Sequence, residues 1–129
     1  MINNELVFVY GTLKFGYSNS SFLTNAKIIG RGITKDKFSL YVGSLPYLTS
    51  EMIHHVKGEV YEVSKQRLAY LDSLEGHPNF YKRWKIKIKL ENNKTVTCWT
   101  YFFNDYKRED WKLTDGEYKQ PLLNNRLWQ

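Results

Sequence analysis

Val7-Phe8-Val9-Tyr10-Gly11-Thr12-Leu13-Lys14-Phe15-Gly16 is a short apolar run that stops at a glycine, with a second glycine five residues later. Leu6–Tyr10 reads as a buried strand, because β-branched and aromatic side chains suit a pleated, packed surface. Gly11 lets the backbone turn where a side chain would clash. A loop opening in this way can aim successive backbone N–H groups at one point, and such a nest binds an anion such as a carboxylate. An ordinary glycine-containing turn at a strand end has the same local signature.

Outward from this stretch, Tyr17–Ala26 is rich in Ser and Asn and reads as loop with one helical turn. Lys27–Arg31 and Phe38–Val42 are extended, and Val56–Val63 is a strand. Gly43-Ser44-Leu45-Pro46-Tyr47-Leu48 reads as an irregular loop, since Pro46 lacks a donor and fits poorly in a central strand. The clear helix is Lys65–Glu75. Ser64 can cap its start, and Leu68, Leu71 and Leu74, with Ala69 beside them, form the face expected to pack inward. Gly76 ends it and Pro78 forbids continuation.

Trp84-Lys85-Ile86-Lys87-Ile88-Lys89-Leu90 alternates strictly between apolar and basic residues, which predicts a strand with one buried and one wet face. Asn92-Asn93 supplies turn residues for a hairpin. The return strand Lys94–Phe103 carries Val96, Cys98 and Thr100 on one side and Trp99, Tyr101 and Phe103 on the other. Both faces are bulky, so the strand is expected to be central. Trp111, Leu122, Leu123 and Trp128 are expected to pin the polar tail. Several strands with one substantial helix give an α+β fold, its sheet curled toward a barrel.

The chain has 129 residues, within the size range of one domain, and no linker suggests a boundary inside residues 1–129. A hydrophobic fraction of 42% with 16% aromatics argues against disorder and suffices for both a core and a pocket lining. The single cysteine, Cys98, permits no internal disulfide and fits a reducing compartment. Met1-Ile2-Asn3-Asn4-Glu5 lacks the basic and apolar regions of a signal peptide, and no apolar run approaches a membrane span, so the expected location is the cytoplasm, away from membranes. The net charge of +6 keeps nucleic acid in view. Alternation, however, puts Trp84 on the face opposite Lys85, Lys87 and Lys89. The stacking platform and the cations are therefore separated, and the lysines read as a solvated face.

Glu75 is the best candidate for chemistry. It is the last helical residue, where the negative end of the helix dipole disfavours its charged form. Tyr70, Phe80, Tyr81 and Trp84 are near enough in sequence to exclude water from it. Both effects raise its pKa toward the range a general base or acid needs near neutrality. Asp72 shares its helix face at i−3 and reads as a surface carboxylate. His54, His55 and His77 have no metal-ligand spacing, and Cys98 sits mid-strand as a small hydrophobe. Gly11 and Gly16 match neither a P-loop nor a dinucleotide fingerprint.

Three segments together resemble the γ-glutamylcyclotransferase-like superfamily, in particular its γ-glutamylamine cyclotransferase and AIG2-like branch. They are Val7-Phe8-Val9-Tyr10-Gly11-Thr12-Leu13-Lys14, Val56-Lys57-Gly58-Glu59-Val60-Tyr61-Glu62-Val63, and Leu71-Asp72-Ser73-Leu74-Glu75-Gly76 followed by Tyr81-Lys82-Arg83. The resemblance implies a small mixed β-barrel with one main helix and flanking short helices. It also implies a reaction in which the substrate's own α-amine attacks its γ-carbonyl, releasing an amine and forming 5-oxoproline. By the same resemblance, Glu75 serves both proton transfers, Tyr10, Gly11, Thr12 and Leu13 cradle a small γ-glutamyl substrate, Tyr81 lines the pocket and Pro46 shapes its rim. No cofactor, metal or protein nucleophile is implied. Family members vary at Glu75-Gly76-His77-Pro78, which leaves the leaving-group side unconstrained. The alternative expectation is a non-catalytic module on the same fold that binds a small carboxylated ligand or a protein.

Overall fold

The computed structural model describes residues 4–120. Five strands close a barrel in the order β1 (Asn4–Val9), β5 (Lys57–Ser64), β2 (Lys27–Thr34), β6 (Lys82–Leu90) and β7 (Thr95–Phe102). A separate three-stranded sheet runs β4 (Pro46–His54), β3 (Phe38–Val42), β8 (Lys112–Leu113). One helix, α1 (Lys65–Glu75), and a 3-10 turn at Ser20–Leu23 accompany them. The neighbouring barrel strands are antiparallel except at the closing seam, where β1 meets β7 in parallel with Val7 opposite Trp99.

Strand alternation divides the apolar side chains into two sets. Phe8, Val60, Ile86, Ile88, Cys98 and Phe102 belong to the set filling the barrel. Val7, Val9, Tyr61, Val63 and Tyr101 belong to the opposite set, which is covered by Leu68 and Leu71 of α1. β7 is central as its two bulky faces imply, lying between β6 and β1. Lys85, Lys87 and Lys89 are exposed, whereas Trp84 stacks on Phe102 at 4.3 Å. The expected separation of that aromatic from the cations therefore holds.

α1 begins where Ser64 accepts the Arg67 N–H at 3.0 Å. Its buried face is narrower than the leucine spacing suggests, because Leu74 and Ala69 are exposed. Each residue turns the helix by about 100°, so three-residue steps drift by about 60° and Leu74 has rotated off the face that Leu68 occupies. Pro46 corrects a second expectation: it opens β4 rather than belonging to a loop. β4 is an edge strand and Pro46 its first residue, so the missing N–H leaves no ladder bond unmade. The Asn92-Asn93 hairpin forms, with Asn93 at φ 71°. Trp111 is buried and stacks on Tyr47 at 3.9 Å, while Leu122, Leu123 and Trp128 lie outside the described residues.

Gly58 sits where β1 and β5 approach closely. A Cβ there would collide with the Val9 carbonyl oxygen and come within 2.7 Å of the Phe8 ring. Neither the ladder carbonyl nor a fully buried ring can yield cheaply. Gly58→Ala is expected to lower unfolding free energy by about 2–3 kcal/mol, read by urea denaturation. An unchanged midpoint would show that the barrel has slack here.

Candidate active site

At the end of β1 the chain turns through Gly11, whose missing Cβ would lie 2.5 Å from Pro46 Cγ. Contact with Pro46, rather than a positive φ, is thus what requires glycine here. The Lys14 N–H donates to the Gly11 carbonyl at 3.1 Å. Asn19 fixes the loop at Thr12 with two bonds: its N–H reaches the Thr12 carbonyl at 2.8 Å and its Nδ2 reaches Oγ1 at 2.9 Å. The N–H groups of Gly11, Thr12 and Leu13 donate to no acceptor among the described residues.

α1 ends with Gly76 in the left-handed region, at φ 68°. The Gly76 N–H donates to the Ser73 carbonyl and the His77 N–H to the Asp72 carbonyl, so the helix closes in a Schellman arrangement. The Tyr81 N–H then reaches the Glu75 carbonyl at 3.2 Å, folding residues 77–81 over the helix end.

Both ends of the motif meet in a cavity of about 280 Å³. Tyr10, Gly11, Thr12, Leu13, Glu75 and Tyr81 all line it, and so does Pro46. Phe80 lines it too. Tyr70 and Trp84 do not: Tyr70 is exposed, and Trp84 turns into the barrel. Tyr101, Asn19, Leu45 and Leu74 also line it, beyond what spacing indicates, together with Phe8 and Val9 of β1. Tyr101 arrives through closure of β7 onto β1, a long-range pairing with no local sequence signal.

Among the described residues, Glu75 carries the one ionisable carboxyl in this lining, and none of the others there is Lys, Arg, His or Cys. Burial pushes its pKa up to about 7. Its carboxyl forms no hydrogen bond among the described residues that would favour the anion. The three phenols around it are committed donors. Tyr10 donates to the Tyr101 carbonyl at 2.6 Å, Tyr81 to the Pro46 carbonyl at 2.6 Å and Tyr101 to Asp72 Oδ1 at 2.7 Å. Burial raises all three above the usual tyrosine value, helped at Tyr101 chiefly by Asp72 and at each by the Glu75 charge, so they stay protonated. Glu75 is left as the group in this cavity that exchanges a proton near neutrality.

Asp72 is not the plain surface carboxylate expected from spacing. Arg83 Nε donates to its Oδ1 at 2.7 Å and Arg83 Nη2 to its Oδ2 at 3.1 Å, in addition to the Tyr101 bond. Arg83 also lies 4.1 Å from the Trp99 ring. Burial opposes ionisation of Asp72, but the hydrogen bonds from Arg83 and Tyr101 outweigh it, and its pKa falls below the ordinary value.

A larger groove of about 720 Å³ opens beside Lys14, Phe15, Arg31 and Lys57. Glu59, Glu91 and Glu117 line it among those cations, and it shares none of the site residues above. The site residues expected from the sequence therefore line the smaller cavity and not the larger groove. Among the described residues no three His, Cys, Asp or Glu side chains come together as metal ligands, and no helix is long and apolar enough to cross a membrane.

Residues 7–120 match the family described as Gamma-glutamyl cyclotransferase, AIG2-like. This chain belongs to that family. A Methanocaldococcus jannaschii protein, provisionally named a gamma-glutamylcyclotransferase, is 46% identical over 101 residues, covering 77% of this chain and 84% of the relative. A Rattus norvegicus gamma-glutamylaminecyclotransferase is 32% identical over 120 residues, covering 80% of each. The crystal structure of an AIG2-like protein from Mus musculus superposes with a TM-score of 0.81 at 29% identity, covering 95% of this chain and 99% of that one. The family and the closed barrel with its single α-helix are thus those the motifs suggested.

The site carries two opposite stability signatures. Glu75 has its folded pKa raised from 4.5 to about 7, so its contribution favours folding at low pH and is lost as pH rises through 7. Glu75→Gln removes that penalty. It is expected to stabilise the protein at pH 8 by on the order of 2–3 kcal/mol and to change little at pH 4, read by thermal unfolding at both values. Asp72 has the opposite sign: its stabilisation holds above its unfolded value and is lost on acidification. Asp72→Ala is expected to cost about 2–3 kcal/mol at pH 7, since it leaves Arg83 and the Tyr101 hydroxyl without their acceptor. A change within about 0.5 kcal/mol in denaturant would contradict that role.

Proposed function

We propose that this protein is a γ-glutamyl amine cyclotransferase, converting a γ-glutamyl amide to 5-oxoproline and a free amine. The observation that carries the reading is the shared cavity. Gly11, Thr12 and Leu13, whose N–H groups meet no acceptor among the described residues, and Glu75 line one space of about 280 Å³. Free main-chain donors suit the α-carboxylate of a glutamyl group. A lone carboxyl titrating at about 7 suits proton exchange with an amine.

The chemistry follows from these parts. The Glu75 carboxylate takes a proton from the substrate α-ammonium. The freed α-amine attacks the γ-carbonyl carbon and closes a five-membered ring. The bond from that carbon to the leaving nitrogen breaks as Glu75 returns the proton to it. The ring nitrogen gives up its second proton through the same carboxylate and the departing amine takes it up, leaving as its ammonium, so both protons lost by the α-ammonium are accounted for with no protein nucleophile and no cofactor. Holding the glutamyl chain curled replaces a search among extended conformers with a high effective molarity. The protonated phenols of Tyr10, Tyr81 and Tyr101 shape the cavity without competing for the proton. Cys98, buried with its thiol pushed up to about 12, is inert here. A lone reduced cysteine suits a reducing compartment, and we place the enzyme in the cytoplasm.

Wild-type protein incubated with a panel of γ-glutamyl amines is expected to release 5-oxoproline. The acid limb of kcat/KM should have its midpoint near pH 7, where Glu75 ionises. Glu75→Gln should lower kcat by roughly 10²–10⁴-fold with the circular dichroism spectrum unchanged. Equal turnover in that variant removes Glu75 from the mechanism. A wild-type protein that is stabilised by γ-glutamyl compounds yet turns over none is the binding module instead.

A further inference from the structure

We propose that the groove of about 720 Å³ beside Lys14 is a second ligand site, and that it takes a small phosphate-bearing ligand of the mononucleotide class. Lys14 points to it first. This lysine is only 7% exposed, yet it forms no ion pair among the described residues. Its Nζ donates to the Tyr118 main-chain carbonyl at 2.6 Å and lies 4.9 Å from the centre of the Tyr17 ring. Both partners are neutral. Burial lowers the pKa of this ammonium, and Glu117 and Glu59 oppose that from beyond ion-pair distance. A buried cation without a counter-ion is costly. Lys14 borders an open groove, where an anion can supply the missing charge.

The barrel strands add cations to the same groove. Ladder register sets Lys57 of β5 and Lys89 of β6 opposite Ile33 of β2 from either side, so the three side chains share one face. Arg31, two residues before Ile33, shares that face and lies opposite Glu59. Those two charges would cancel, but Glu59 is otherwise engaged. Its Oε1 accepts the Phe15 N–H at 2.8 Å and the Tyr61 hydroxyl at 3.2 Å, and it forms no ion pair with Arg31. The rest of the lining fits a body larger than a bare anion. Glu91 and Glu117 repel a simple polyanion but accept hydrogen bonds from hydroxyl and amino groups. Phe15, 78% exposed, offers a ring face on which a base can stack. Inorganic phosphate would use the cations alone. A mononucleotide uses the cations, the acceptors and the ring, and the groove has the volume of a small-molecule site.

The test is titration calorimetry of the whole chain at fixed ionic strength, with AMP, inorganic phosphate and adenosine as probes. AMP should bind more tightly than either phosphate or adenosine by roughly tenfold or more. Lys14→Met should weaken AMP by roughly tenfold with the circular dichroism spectrum unchanged. Because Lys14 adjoins a structured loop, a second variant keeps the test independent of its folding. Arg31→Gln with Lys57→Gln removes two charges from the groove and should weaken AMP by roughly tenfold or more. Lys85→Gln with Lys87→Gln removes the same charge from β6 outside the groove and should change AMP affinity by less than about twofold. Absence of saturable AMP binding, phosphate binding as tightly as AMP, or equal losses in the two double variants overturns the inference. None of these groove residues lines the Glu75 cavity, so either result leaves the cyclotransferase reading to its own assay.

Discussion

The β1–β7 seam is the contact on which the cavity depends. Two strands more than ninety residues apart in sequence pair in parallel there, at Val7 and Trp99. Two buried hydrogen bonds hold the seam. Thr100 Oγ1 donates to the Phe8 carbonyl at 3.0 Å, and the Tyr10 hydroxyl donates to the Tyr101 carbonyl at 2.6 Å. Closure of a loop this long is entropically expensive, and the packed barrel interior must offset it. In return the seam sets Tyr101 beside Tyr10 and brings the loop after β1 to the end of α1. An open sheet carrying the same side chains would not place the Gly11–Leu13 amides and Glu75 around one space.

Two carboxylates three residues apart on one helix then acquire opposite characters. Asp72 accepts three hydrogen bonds, two of them from a guanidinium, and remains an anion. Glu75 accepts none among the described residues and is pushed up to about 7 by burial. Environment, rather than residue type, separates a fixed structural charge from a group ready to exchange protons. The two are linked through Tyr101, whose hydroxyl is held by Asp72 while the residue forms part of the wall around Glu75. Asp72 thus shapes the site without belonging to its lining.

Legibility of these parts in the sequence followed the range of the interaction concerned. Strict alternation from Trp84 to Leu90 specified β6 and its faces, because strand periodicity is local. Ser64 and Gly76 marked the helix ends for the same reason. Glu75, Tyr81 and the Tyr10–Leu13 loop were visible as motifs in order, although no spacing rule states that they meet. Leu74 and Ala69 were misjudged because leucines at three-residue intervals drift around the helix. Pro46 looks like a loop residue in the sequence because its tolerance depends on β4 being an edge strand, which is a fact of topology. Tyr101 and the Arg83 clasp on Asp72 were illegible because they depend on register between distant elements.

Position at the helix C-terminus matters more to Glu75 than the dipole alone suggests. A carboxyl at a helix N-terminus finds free N–H donors, which stabilise its anion and lower its pKa. At the C-terminus of α1 the nearest donors are already spent. The Gly76 and His77 N–H groups close on Ser73 and Asp72, and that of Tyr81 closes on the Glu75 carbonyl. The surrounding phenols donate away from Glu75, to main-chain carbonyls and to Asp72. The capping bonds and the tyrosine network therefore keep the carboxyl poised by withholding donors from Glu75.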